Sequence, residues 1–154
     1  MHEPLPPAPL WRRLTAFAYD LLALVGLWFF ITLVAVAVNG GPIGSAIVDG
    51  HVRVVDLAAQ IGLYTLLWLV TGLYYTLSWR YGGQTLGMRP WRVQAQVADG
   101  TPGMAFGRAW LRYLCATLAV LPLGLGLWWS LLDHERLALH DRLSGTRLAL
   151  LPKP

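Results

Sequence analysis

Two ionisable residues stand inside long apolar runs, and any chemistry of this chain starts from them. Asp20 lies seven residues past Arg13, within the run Leu14 to Val38, about 10 Å along a helix rising 1.5 Å per residue. Arg112 lies four residues past Arg108, one helical turn into another apolar stretch. A charge in hydrocarbon costs roughly 2.5–3.5 kcal/mol even on lenient insertion scales, so each is expected to find a partner. The i, i+4, i+7 spacing sets Arg13, Phe17 and Asp20 on one helical face. The tail segment Leu139 to Arg147 brings His140 and Asp141, placed to close over this cluster. The expected pairing is Asp141 with Arg13 or Arg12, leaving Asp20 for Arg112. Such pairs would at least staple helices and tail together.

Other chemistries find little support. His140 beside Asp141 does not define a metal site, and His2, His51 and His134 share no ligand spacing with it. Ser144 is followed by glycine without a nucleophile-elbow pattern around it. Cys115 is the sole cysteine, so an internal disulfide is excluded, and its apolar neighbours make it a small core residue. No enzyme, metal or cofactor is expected. The net charge of +4 is modest. A nucleic-acid binder would not carry apolar runs of about 20 residues, so nucleic acid is not an expected partner.

The elements that position these residues follow from composition. Apolar residues are 56% of the chain and charged residues only 13%, against about 45–50% and about 25% in soluble domains. Lipid is the better solvent for such a chain, and its 154 residues suffice for one membrane domain over 1–154. The first apolar segment, about 14–38, exceeds the roughly 20 residues needed to cross a bilayer and stops at Asn39-Gly40-Gly41-Pro42. It is also longer than the roughly 7–15-residue apolar core of a signal peptide, so it is expected to be retained. The second, about 57–79, carries Tyr64, Trp68, Thr71 and Tyr75 along one face, a packing stripe. Its Gly72 and Thr76 are spaced to let another helix approach. The third, about 109–132, is broken by Pro122-Leu123-Gly124-Leu125-Gly126 and reads as a kinked span or a re-entrant hairpin.

Charge orients the whole. Arg12 and Arg13 precede the first span, Arg80, Arg89, Arg92 and Arg108 lie in the loop 80–108, and only Arg53 lies between the first two spans. The positive-inside rule then sets the N-terminus and the second loop in the cytoplasm and the first loop outside. The tail 133–154 carries Arg136, Arg142, Arg147 and Lys153, which favours a cytoplasmic tail and the re-entrant form. Strict alternation in Trp91 to Val97 predicts a half-buried strand, and Thr146 to Leu151 is its expected partner. Arg12, Arg108 and Arg142, with Trp79 and Trp110, are expected to anchor at the headgroups.

These residues together resemble the RDD family of bacterial membrane proteins, named for an arginine and two aspartates. Its opening Arg-x-x-Ala-x-x-x-Asp matches Arg13, Ala16 and Asp20. Its middle segment matches Gly83-Gln84-Thr85-Leu86-Gly87-Met88-Arg89, followed by a strand and Asp99-Gly100. The arginine opening its third apolar segment matches Arg112, and its closing motif matches His140, Asp141, Gly145, Thr146 and Arg147. The likeness runs from about Trp11 to Leu151, with no departure at the three naming positions. It implies an all-α integral membrane protein with a short cytoplasmic strand pair, and membership in a family loosely proposed to transport solutes or exchange cations for protons. Two and a half spans enclose no pathway, so the expected form is a homo-oligomer or a larger membrane complex. The rival expectation is a non-transporting accessory or assembly protein whose charged cluster is structural.

Overall fold

The computed structural model describes residues 5–101, 103–120 and 137–152. Pro9 cannot continue a helix upstream, but its carbonyl accepts the N–H groups of Arg12 (3.1 Å) and Arg13 (3.4 Å). Helix α1 therefore starts at Leu10, earlier than the apolar run suggests, and continues to Asn39. Strands β1 (Ser45–Val48) and β2 (His51–Val54) follow, then helix α2 (Leu57–Tyr81). Both long helices are apolar and long enough to cross a membrane. Much of their apolar surface is open: Leu22 is 73% exposed and Phe29 70%.

After α2 come the single-turn helix α3 (Met88–Trp91), strand β3 (Val93–Val97) and helix α4 (Phe106–Val120). A short helix α5 (Leu139–Leu143) and strand β4 (Thr146–Leu150) complete the described chain. The break at Pro122 falls outside the described residues, so the choice between a kinked span and a re-entrant hairpin does too.

The chain divides into two compact units, Met1–Leu21 with Gly72–Pro154, and Leu22–Thr71. In the first, the expected pairing of β3 with β4 forms, and it is antiparallel, with Val93 opposite Leu150 and Val97 opposite Thr146. Val93 and Ala95 are fully buried. The N-terminal segment covers the outer edge of β4: Pro7 bridges Ala149, and Ala8 N–H donates to the Leu148 carbonyl at 2.8 Å. A sheet edge is thereby closed. N-terminus, loop and tail share one small sheet.

The second unit holds a hairpin between the two long helices in the chain. Asp49 and Gly50 both have positive φ (53° and 74°), as a two-residue hairpin turn demands. The Asp56 side chain starts α2 by accepting the Ala59 N–H at 3.0 Å. Within the same unit the Trp28 indole donates to the Thr71 hydroxyl at 2.9 Å.

A cluster of buried charges in the first unit

The opening turns of α1 carry Arg13 and Asp20 on one face, and both are buried, Asp20 to 1% exposure. They go to different partners. The Asp20 carboxylate is wrapped by the turn that leads into α3. Thr85 donates its hydroxyl to Oδ2 at 2.5 Å, and Gly87 donates its N–H to Oδ1 at 2.8 Å. Tyr74, from α2, donates its hydroxyl to Oδ1 at 2.7 Å. Two secondary bonds hold these donors in place, Met88 N–H to Thr85 Oγ1 (3.2 Å) and Leu86 N–H to Tyr74 Oη (3.2 Å).

The expected Asp20–Arg112 pair is therefore corrected. Arg112 donates through Nη1 to Asp141 Oδ1 and to Thr146 Oγ1. Arg13 donates through Nη1 to the other oxygen of Asp141 at 3.3 Å and through Nε to the Ala8 carbonyl at 2.8 Å. Asp141 is fully buried and also accepts the Ala138 N–H at the start of α5 (3.2 Å). One carboxylate thus ties together α1, α4 and the tail. The physical reason is the placing of acceptors. Asp141 offers one carboxylate oxygen to each guanidinium, and Thr146 takes a further bond from Arg112, so both arginines are engaged away from Asp20. Asp20, a short side chain beside a turn rich in donors, is satisfied by neutral groups instead.

A polar chain extends behind Arg112. Ser144 donates its hydroxyl to the His140 carbonyl at 2.6 Å, and Ser144 and Thr146 hydroxyls lie 2.7 Å apart. Since Thr146 already accepts from Arg112, its own proton goes to Ser144. Burial pushes the Asp141 carboxyl up, but Arg112, His140 and Arg13 outweigh it and hold the group below its ordinary range. The His140 imidazole is pushed by burial down to about 4, with Asp141 resisting and both arginines assisting. Its Nε2 lies 3.7 Å from Asp141, and the ring is neutral near pH 7.

The predicted anchors divide. Trp79 does not serve at the headgroups: it is only 4% exposed, and the Arg112 guanidinium sits 4.9 Å over its ring. Its burial follows from α4 packing on the end of α2, with Tyr75 stacked between Trp79 and Tyr113. Trp110 lies over Gly72, where an added Cβ would stand 2.6 Å from its ring, so the small residue does admit a helix. Arg12 donates to the Trp91 carbonyl at 3.0 Å and lies over the Trp11 ring. Arg108 and Arg142 are exposed. Sequence reasoning missed Tyr74 and the roles of Thr85, Gly87, Ser144 and Thr146, although the last four fall within motifs it had singled out. Among the described residues no group of three metal-ligating side chains comes together.

Gly87 is where the turn must touch the helix. A Cβ there would overlap the Ala16 carbonyl and stand 2.7 Å from the Asp20 backbone nitrogen. Neither neighbour is a flexible side chain. Gly87→Ala is expected to lower stability by about 2–3 kcal/mol, read as a denaturation midpoint in detergent. Gly107→Ala, which meets nothing within 4 Å in α4, should be neutral or slightly stabilising. Equal midpoints for the two variants would refute the close approach.

The model of one protein family, the RDD family, matches residues 7–145. No curated protein and no solved structure matches the chain.

Proposed function

Since the chain belongs to the RDD family, a membrane-associated family, we propose that it is a multi-pass protein of the bacterial inner membrane acting in solute or ion transport, with Asp20 as its exchangeable acid. One observation carries this reading: the two buried acids are held in opposite ways. Asp141 is fixed by two guanidiniums, which cannot turn around. Asp20 is held by two hydroxyls and one backbone N–H. A hydroxyl is donor and acceptor alike, so those partners can reverse when a proton or cation meets the carboxylate. Asp20 is the acid whose hydroxyl partners can turn.

The shared sheet supports a common side for the N-terminus, the loop 80–108 and the tail, and the positive-inside rule makes that side cytoplasmic. So few helices enclose no pathway, and transport requires a homo-oligomer or a larger membrane partner.

Asp20→Asn is expected to abolish ion flux in reconstituted vesicles, while the protein still inserts and keeps its melting temperature within a few degrees. A second reading has its own support: Asp141 binds three segments at once, as a staple in a non-transporting accessory or assembly protein would. It predicts that Asp20→Asn lowers folded yield instead, with no flux to lose in the parent. Exchanging Asp20 and Arg112 is not expected to restore folding, because the two are not partners.

A further inference from the structure

We propose that the β1–β2 hairpin is a lipid-seated element, its apolar face bedded at the headgroup–acyl boundary of the leaflet at the Asn39 end of α1. It goes beyond the transport role and rests only on the reading that α1 and α2 span a membrane.

Successive side chains of a strand point to opposite faces, so the register sorts the hairpin into two surfaces. Ile47 stands opposite Val52, and Ser45 opposite Val54. That face is apolar, and it is open: Ile47 is 75% exposed, Val52 76% and Val54 56%. On the other face Ala46 stands opposite Arg53 and Val48 opposite His51. Arg53 reaches Asp49 at 3.9 Å, a pair well out in solvent. The hairpin has one aliphatic side and one mixed side that carries His51 and Arg53.

An isolated two-stranded hairpin is marginal in water, and an uncovered aliphatic face makes it worse. The chain holds its base to the start of α2. Val55 and Asp56 both donate N–H groups to the Gly44 carbonyl, at 3.0 and 3.2 Å. Gly44 has φ +62°, and an added Cβ would stand 2.8 Å from the Gln60 nitrogen, so the approach is fixed by backbone. Exposed apolar residues continue through Val55 and Leu57 to Ile61 on α2. The open aliphatic surface is therefore continuous with the flank of a candidate span, and lipid that covers one covers the other.

The test uses the full chain with Cys115→Ser, carrying one environment-sensitive probe at Val52→Cys, Arg53→Cys or Phe29→Cys. The vesicles mix phosphatidylglycerol and phosphatidylethanolamine, with spin-labelled lipid bearing its quencher near the headgroup or deep in the acyl chain. The Val52 probe is expected to be quenched about threefold more than the Arg53 probe by the shallow label, and to be shielded from aqueous iodide. The Phe29 probe, on α1, reports the span through the deep label. Deep quenching at Phe29 with a Val52 probe open to iodide overturns the hairpin's seat alone. Shielding of Val52 from both iodide and lipid label, or ready disulfide dimers of Val52→Cys, points to a protein partner or a second copy and overturns it too. Absence of deep quenching at Phe29 overturns the spanning reading together with the proposal.

Discussion

Asp141→Ala is expected to cost about 3–5 kcal/mol and to abolish a cooperative melt of the first unit in detergent. The size follows from what the substitution leaves behind. Arg13 and Arg112 both direct guanidinium donors at this carboxylate, and their side chains are 2% and 1% exposed. Removing the acid strands two like charges in a place neither can leave for water. The Ala138 N–H and the start of α5 lose their acceptor at the same time. Stranded charge can be told from lost contact by a triple variant, Asp141→Leu with Arg13→Met and Arg112→Met. Replacing a whole buried ionic group by apolar residues is often neutral or better. The triple variant should therefore recover most of the lost stability. A single variant that melts like the parent would show that the cluster is not load on the fold at all.

How far the sequence foretold this depends on the kind of interaction. Helices α1 and α2 were legible because apolar length is a local property, and the start of α2 at Leu57 needed nothing beyond it. The β3–β4 pair was legible because the alternation in Trp91 to Val97 leaves one partner of suitable length on the same side. That Asp141 would meet Arg13 was one of two options, decided in the structure by Arg12 turning to the Trp91 carbonyl.

The partners of Asp20 were not legible. They are two hydroxyls and a peptide N–H, separated from it by 54, 65 and 67 residues, and a neutral donor leaves no charge pattern to read. An acid and a base at similar depth invite pairing on paper, yet Arg112 had a second acid within reach. Trp79 was misplaced for a related reason. A tryptophan at the end of an apolar helix usually marks the interface, but here α4 and its arginine cover it. The β1–β2 hairpin, by contrast, had a signal that went unread: Asp49-Gly50 between alternating residues is a strong hairpin mark.

Acid is expected to weaken the first unit well before its carboxylates are protonated. His140 is 7% exposed, its Nδ1 meets no partner among the described residues, and Asp141, Arg112 and Arg13 surround it. Burial leads the shift that takes the imidazole from 6.5 to about 4. The unfolded chain therefore takes up a proton near pH 6.5 while the folded chain refuses it until about pH 4. The stability tied to a neutral His140 is complete above pH 6.5 and is lost progressively as the pH falls towards 4. At one pKa unit per 1.36 kcal/mol the loss reaches about 3 kcal/mol. Asp141 acts in the same direction in a lower window, since its carboxyl is held below the ordinary 3.8 and its contribution fades only beneath that value. Melting in detergent should accordingly fall between about pH 7 and about pH 4, and His140→Leu should flatten most of that fall. The leucine fills the same apolar enclosure without a proton to refuse. A variant that loses stability with acid as steeply as the parent would move the effect to other groups and leave His140 a spectator.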